Sequence, residues 1–418
     1  MWDTIRYIQE SYNMQKPVKK YRVREPMHNK FKRLAIISDC VHMHDSNGNV
    51  ATENHIFFRQ MEALASYFEH TILCCPFVNK KSGSVTSTYS LDNIEFIQLP
   101  NVGGNTLKHK FQIIKTIPSW IRAFRKAFAQ SDLVYLRMPN NLNIPGFFYF
   151  YFKHAKTFAT YTGTWKNYKG EPLTYRFQKW ALKHFFKGPV WIYTDEECIQ
   201  KNFLKNYSPS YSLKEWNEEA EQVNSRIIKY KSYPINKPVF ITVGSLVSYK
   251  NQQYILEVCK HLHEKNFSFY WYIVGDGPLK SEYAKFAGDN NLNSCVSITG
   301  KKTYQELREL YRKANFLVQA TLVEGFGKAP VEAMFHGVIP ILSKVAMANE
   351  MSGNGSRGYV FSVNNIKNLE CLIYKIMGEQ DRLVEMIENG RKYAKEQTLE
   401  NWAKDYVQTI NIFFKKLK

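Results

Sequence analysis

Short apolar runs alternate with longer stretches of helical periodicity along most of the chain. KRLAIISDC (residues 32–40) is an apolar run ending in polar residues, the pattern of a buried strand feeding a loop. Residues 54–68 follow with Ile56, Met61, Leu64 and Phe68 at helical spacing. HTILCCP, IEFIQLP, DLVYLRMP, TFATYTGT and VWIYTD predict further strands. Residues 107–130 predict a helix interrupted at Pro118, and FFYFYFKH and LTYRFQKWALKHFF two more. Over residues 206–236 the alternation stops and polar residues take over, which places a domain junction there. It restarts with PVFITVGSL and FYWYIVGDGP, then CVSITG, NFLVQAT and GVIPILS, each separated by helical stretches, and the tail from Asn364 is mostly helical. Strands alternating with helices mean βαβ units and parallel sheets. The expected architecture is α/β: two Rossmann-like, doubly wound domains facing each other across a cleft. The expected parts are an N-terminal basic extension (1–30), a first domain (31–215), a second (237–395) and a C-terminal helix (396–418).

Composition narrows the partners more than the fold. At 418 residues the chain exceeds one ordinary core. Its net charge of +20 favours anionic partners: nucleic acid, anionic lipid headgroups or phosphorylated small molecules. The seven cysteines are odd in number and contain no Cys-x-x-Cys pair, so neither a disulfide framework nor a zinc site is indicated, and a reducing cytoplasm is expected. The first 26 residues lack the apolar stretch of a signal peptide, and the apolar run at 144–152 is too short to span a bilayer. A soluble or peripheral protein is expected.

Three glycine-bearing turns follow strands in the second half: Gly244–Ser245 with Lys250 soon after, Gly275 with Gly277, and Glu324–Gly325–Phe326–Gly327–Lys328. Parallel strands put all three on one rim. At the third turn a helix begins, with Pro330 in its first turn, so the amides of residues 325–328 can face an anion. Lys250 and Lys328 add positive charge, which describes a diphosphate site. Glu324 and Glu332 then flank the phosphates and accept hydrogen bonds from hydroxyl groups on either side. A nucleotide sugar offers ribose, diphosphate and sugar in that arrangement. Taken singly, each turn reads more readily as structural than as functional, and an acid in the first turn of a helix is favoured by its dipole.

EGFGKAPVEAMFHGVIPIL resembles the Glu-x7-Glu segment of glycosyltransferase family 4, the retaining enzymes of GT-B fold. FITVGSLVSYKNQQYILEV, YIVGDGPLKSEY and VSITGKKTYQELRELYRKANFLVQAT resemble that family's preceding segments in the right order, so the likeness covers residues 238–361 well and the first half in outline. The resemblance implies a first domain for the acceptor and a second for the donor. It implies that Lys250 contacts the donor diphosphate, Glu324 the transferred sugar near its reacting carbon, and Glu332 the ribose. By the same likeness Gly325, Phe326 and Gly327 give backbone contacts, Gly300 and Lys301 lie where the base is contacted, Glu350 matches a recurrent acid, and the C-terminal helix crosses back to the first domain. Three departures stand out. Ser245 occupies the place of a usual arginine. The paired glycines after the first strand are missing, with Gly48 the nearest. Gly163 and Thr164 stand where a histidine is often found.

The expected activity is metal-independent transfer of a hexose, with retention, from a nucleotide-diphosphate sugar (UDP- or GDP-linked) to a glycan or lipid-linked acceptor of surface-polysaccharide synthesis. No cofactor is expected, and no Asp-x-Asp occurs to clamp a metal diphosphate. The expected setting is the cytoplasm, including its peripheral membrane surface. In the first half Arg137 ends a strand, where it meets either an anionic acceptor or a surface salt bridge. The 107–130 helix puts Leu107, Phe111, Ile114, Ile121, Phe124 and Phe128 on one stripe, with Lys108, Lys110, Lys115, Arg122, Arg125 and Lys126 mostly off it. That stripe reads as the face of an ordinary sheet-covering helix whose lysines and arginines are solvated, with contact between its basic side and an anionic membrane as the alternative. His42 and His44 read as solvated loop residues, Asp195 as a helix cap and Trp402 as an anchor of the last helix. Two other classes compete: a non-catalytic scaffold of the same fold, and a nucleic-acid binder, which the charge suggests and no motif supports. A dehydrogenase fails because Lys280 stands where the third glycine of the dinucleotide fingerprint would be.

Overall fold

The structure, a computed structural model, is described for residues 29–79, 86–103, 107–168, 170–194, 200–345 and 347–415, with only the backbone of 107–110. The N-terminal extension up to residue 28 and Asp195 lie outside these residues, as do the side chains of Leu107, Lys108 and Lys110. The chain divides into two compact units. The first runs to Ile192 and takes in the stretch ending at Asn206 and the chain from Ala403; the second holds Tyr193 and Tyr207–Trp402.

The first unit contains β1 (Arg33–Ile37), β2 (Met43–His44), β3 (Val50–Thr52), α1 (His55–Ala65), β4 (His70–Phe77), β5 (Ser87–Thr88) and β6 (Ile94–Pro100). It continues with α2 (Leu107–Ala129), β7 (Leu133–Met138), α3 (Asn143–Phe152), β8 (Thr157–Thr164), α4 (Leu173–Phe185), β9 (Val190–Tyr193) and β10 (Phe203–Lys205). Its main sheet has the order β10-β9-β8-β7-β1-β4-β6 and pairs in parallel, for example Ala35 with Ile72 and with Val134. Four of the five residues of β1 are buried, as a strand covered on both faces requires.

Several sequence expectations change here. Between β1 and α1 the chain does not form a plain loop: β2 and β3 pair there and, with β5 from beyond β4, make a small antiparallel sheet whose strands are too short to show periodicity. Gly48 (φ +82°) lies in the β2–β3 turn, where its N–H bonds the Asp45 carbonyl at 3.1 Å. His42 is fully buried among Phe57, Phe77, Tyr89 and Phe96, rather than solvated. Pro118 does not interrupt α2, which is continuous over 23 residues. Nor do Phe111 and Ile114 face the sheet; they are 66% and 62% exposed. Ile113, Ile117, Trp120, Phe124 and Ala127 form a better helical register, and three of these are fully buried.

The second unit contains α5 (Leu213–Glu218), α6 (Ala220–Ser232), β11 (Val239–Val243), α7 (Gln252–Glu264), β12 (Tyr270–Val274), α8 (Lys280–Asp289), β13 (Val296–Gly300) and α9 (Tyr304–Lys313). After these come β14 (Phe316–Gln319), α10 (Lys328–Phe335), β15 (Ile339–Ser343), α11 (Ala348–Ser352), β16 (Tyr359–Phe361), α12 (Ile366–Met377) and α13 (Gln380–Glu396); the last helix, α14 (Leu399–Lys415), starts in this unit and from Ala403 belongs to the first. The stretch 206–236, expected as a polar junction, is largely α5 and α6. Ser212 and Glu215 form a capping box that starts α5. Trp402 is buried in α14.

The six-stranded sheet reads β13-β12-β11-β14-β15-β16, with parallel pairing throughout. In units of strand sequence that is 3-2-1-4-5-6, the doubly wound order of dinucleotide-binding sheets. Its direction reverses between β11 and β14, and ligands in such sheets bind at the carboxyl ends of the strands flanking the reversal. The loops to inspect are therefore those after Val243 and Gln319.

Candidate functional site

These two loops are tied to each other. The Tyr249 carbonyl accepts from the Leu322 N–H at 2.8 Å and from the Thr321 hydroxyl at 3.1 Å. Asn251, left-handed at φ +57°, donates its amide to the Ala320 carbonyl at 3.1 Å. Below them Gln319 donates to the Val243 carbonyl at 3.2 Å, and Ser343 to the Thr321 carbonyl at 2.6 Å. This lacing sets Lys250, at the end of a single 3₁₀ turn, beside Glu324, and the two form an ion pair with 18% and 20% of their side chains exposed.

Helix α10 starts at the same place. Gly327 is its N-cap at φ +71°, a left-handed conformation that costs a side-chain-bearing residue free energy. Space is also short: a Cβ there would lie 3.3 Å from Glu324 Cγ. Glu324 is thus folded against the helix start, where the first amides lack partners within the helix. Phe326 is buried against Tyr193 of the same unit, with ring centroids 5.4 Å apart, which pins the loop by its one large side chain. Gly325 and Lys328 are half-buried beside it.

Glu332 lies one turn further along α10 and accepts a hydrogen bond from the Tyr311 hydroxyl at 3.2 Å. Behind this pair is a buried network. The Tyr311 ring stacks on His336 at 5.2 Å, and His336 Nδ1 bonds the Glu219 carboxylate at 2.8 Å. Arg308 and Arg312 donate to the same carboxylate. Burial works to raise the Glu219 carboxyl, but hydrogen bonds from His336 and Arg312 outweigh it and hold the group well below the usual carboxylate range. Burial pushes His336 down to about 4 despite Glu219. Tyr311 and its network were not singled out from sequence; the Glu306 that caps α9 with Thr303 is the nearest local signal.

The glycines after β11, β12 and β13 do a different job. The Gly244 N–H bonds the Val274 carbonyl, and the Gly275 N–H bonds the Gly300 carbonyl. A Cβ on Gly275 would lie 1.9 Å from the Gly244 carbonyl oxygen, and one on Gly277 2.5 Å from that of Leu246. These residues are glycine because two strand-end loops touch backbone to backbone. Ser245 is exposed on that loop, its carbonyl held by Gln252 at 2.9 Å. Lys280, at the start of α8, pairs with Asp276 at 3.4 Å and approaches Gly300, so it joins the rim although it has no assigned place in the sequence pattern. Lys301 is exposed just beyond. β13 lies three strands from β14, about 14 Å at the usual strand spacing. Glu350 is half-buried in α11, and its carbonyl accepts from Arg357.

In the first unit the order reverses between β1 and β7, and the remaining candidates gather at those carboxyl ends. Arg137 lies at the end of β7, at this rim. It is half-buried, lies 5.0 Å from the Phe57 ring centre and donates to Gln60 at 3.1 Å. Asp39 follows β1; burial raises its carboxyl, against the pull of Arg137 and Asn140. Gly163 and Thr164 end β8, with Gly163 against Tyr161 and Pro139. His42 bonds the Cys40 carbonyl and the Tyr89 hydroxyl, and burial pushes it down to about 4. Among the described residues no three or more His, Cys, Asp or Glu side chains are grouped as a metal site.

Over 213 residues the chain is 28% identical to an uncharacterized glycosyltransferase of Methanocaldococcus jannaschii, covering 51% of this chain and 58% of that protein. Over 166 residues it is 28% identical to the UDP-Gal:alpha-D-GlcNAc-diphosphoundecaprenol alpha-1,3-galactosyltransferase of Escherichia coli, covering 38% of this chain and 42% of that one. The chain thus spans less than two thirds of these relatives' lengths. Among solved structures, the Anabaena protein HepE in complex with UDP and glucose matches with a TM-score of 0.63 at 12% identity, covering 90% of this chain and 99% of that one. The fold is GT-B, with its two Rossmann-like α/β units. Residues 225–393, which hold every donor-side candidate from Gly244 to Glu332, match the family Glycosyl transferases group 1.

Proposed function

We propose that the protein is a retaining glycosyltransferase of family 4, moving a hexose from a UDP- or GDP-linked sugar to a glycan or lipid-linked acceptor in surface-polysaccharide synthesis. The observation that carries this reading is the switch point of the second sheet, where Lys250, Glu324 and the start of α10 converge. A diphosphate has three sources of positive potential there: Lys250, Lys328 and the helix amides. As the bond to the sugar breaks, charge develops on the leaving diphosphate, and these fixed groups stabilise it. Glu324 grips the departing, oxocarbenium-like sugar, while Glu332, oriented by Tyr311, holds the ribose. The base reaches toward Gly300 and Lys301, a span that suits an extended nucleotide. In this reading the cations of the chain do the work a metal does elsewhere.

The galactosyltransferase among the relatives is named for a diphosphoundecaprenol acceptor, which supports an acceptor of that type here. Arg137, Gly163 and Thr164, at the strand ends of the first unit, and Gly48, on the hairpin that follows β1, are the residues proposed to meet it. Work at the cytoplasmic membrane surface follows from such an acceptor.

A thermal-shift screen with UDP, GDP, ADP and their sugars tests the donor. A ligand at about 100 times its dissociation constant stabilises by about 2.7 kcal/mol. Stabilisation by one nucleotide diphosphate, lost in Lys250→Met, is the expected result. No response to any of them overturns the donor assignment, and an anomeric product of inverted configuration overturns the retaining mechanism.

A further inference from the structure

The first unit carries an apolar surface that its own fold does not use. On α4, Leu173, Phe177 and Trp180 recur at helical spacing on the outer face and are 79%, 38% and 47% exposed. At the ends of α3 and α4, Phe152 is 71% exposed and Tyr151 and Phe185 more than a third. These rings form one continuous chain: Phe152 to Tyr151 at 5.5 Å, Tyr151 to Phe185 at 6.2 Å, Phe185 to Trp180 at 5.1 Å and Trp180 to Phe177 at 5.8 Å. A contiguous apolar patch of this kind marks a contact surface.

Charge says what it contacts. Residues 133–190 contain nine lysines and arginines and one acid, Glu171. That acid is buried and paired with Lys179 at 2.5 Å, so it does not offset the surface charge. Lys153, Lys183 and Lys187 are exposed at the patch and have no carboxylate partner among the described residues. The patch borders a cavity of about 700 Å³ that shares Tyr151 and Phe185 with it; its charged lining is Lys30, Lys32, Lys156 and Lys187 with one acid, Asp132, which is paired with Arg33. Its position before β1, β8 and β9 puts it at the amino ends of the strands, opposite the unit's ligand rim. A second copy would bring the same positive face, so self-association is disfavoured.

We propose that this aromatic face of α3 and α4 docks on an anionic lipid bilayer. The rings enter the interfacial layer, the three lysines meet headgroup phosphates, and the cavity takes one headgroup between Lys156 and Lys187. Aromatic rings with flanking lysines suit the boundary between headgroups and acyl chains. The surface is distinct from the basic side of α2, and the proposal is independent of the donor chemistry.

The test is co-sedimentation of the full chain with vesicles of phosphatidylglycerol in phosphatidylcholine, against phosphatidylcholine alone, with no sugar donor present. Binding to the anionic vesicles that weakens with added salt is expected. The triple variant Lys153→Ser, Lys183→Ser, Lys187→Ser should lower partitioning by about 100-fold, at roughly fivefold for each lysine. Phe152→Ser with Trp180→Ser should lower it by about tenfold or more. All five positions are exposed, so melting temperatures should stay near the parent value, and a control variant Lys392→Ser, exposed on α13, should leave binding unchanged. Equal binding to both vesicles, no binding to either, unaltered binding in the aromatic variant, or binding to RNA without binding to vesicles would each overturn the proposal. A protein that responds to no nucleotide yet sediments with anionic vesicles would fail the donor reading alone.

Discussion

Glu324→Gln keeps the shape of the side chain and removes its charge, so it separates what the Lys250 pair does for the fold from what the carboxylate does for transfer. Both side chains are about four-fifths buried. Exposed pairs contribute up to about 1 kcal/mol and breaking a fully buried one costs about 3–5, so a loss near 2 kcal/mol is expected. The loops should stay in place, because the bonds of Tyr249, Asn251 and Thr321 do not involve the pair. A melting temperature lower by about 4–8 °C follows, at about 2–4 °C per kcal/mol. If Glu324 grips the sugar as charge develops, its loss should resemble removal of one preorganised electrostatic partner, about 3–4 kcal/mol or a factor of about 100 to 1000 in kcat. The assay is the initial transfer rate at saturating donor, measured beside the melting curve and the nucleotide affinity. Loss of kcat with affinity retained is the expected outcome. A variant that melts lower but turns over at the parent rate would make the pair purely structural and remove Glu324 from the mechanism.

Tyr311→Phe deletes only the hydroxyl that bonds Glu332, leaving the ring on His336. Nucleotide binding should weaken about fivefold, for about 1 kcal/mol, with kcat unchanged, and titration calorimetry showing no change would free Glu332 from this positioning. Gly275→Ala should prevent stable folding of the second unit, since its Cβ would meet the Gly244 carbonyl, whereas Gly288→Ala, with open space in α8, should raise stability by about 0.5–1 kcal/mol in urea unfolding. His42 is held near 4 in the fold against about 6.5 when unfolded. The unfolded chain therefore binds the proton first, and the stability present above the unfolded value fades as pH falls, by about 2 kcal/mol at about pH 5. An imidazole resonance of His42 that titrates near 6.5 in the folded protein would contradict this.

The alternation of strands and helices was legible because parallel strands buried on both faces read as continuous apolar runs, β1 and β4 above all. The β2–β3–β5 sheet was not, because strands of two or three residues have no period to detect. α2 shows a third case: two apolar registers overlap in it, and packing chooses Ile117, Trp120 and Phe124 over Phe111 and Ile114. At the candidate site, the order of turns led to loops at the switch point of the sheet, since each follows a parallel strand. What local sequence could not supply was the partner of each residue. Glu219 lies more than eighty residues from Arg308, Arg312 and His336, and no spacing announces that three side chains will close around one carboxylate.

The glycine pattern itself supports two arguments that the structure separates. Gly275 and Gly277 are explained by backbone contact alone, so they add nothing to a phosphate site. Gly327 is explained by the left-handed start of α10, a helix that begins at the switch point, where the first amides have no partner within the helix itself. The anion-binding argument therefore rests on one turn, not three, and on the cations around it. Ser245 carries no charge where the resembled family has arginine, and Lys280 is paired with Asp276. Lys250 is engaged with Glu324. A diphosphate arriving at α10 must therefore draw Lys250 from a carboxylate that the same ligand's sugar then occupies. The two exchanges compensate only if phosphate and sugar arrive on one molecule, which is why this site should favour an intact nucleotide sugar over its nucleotide and its free sugar offered separately.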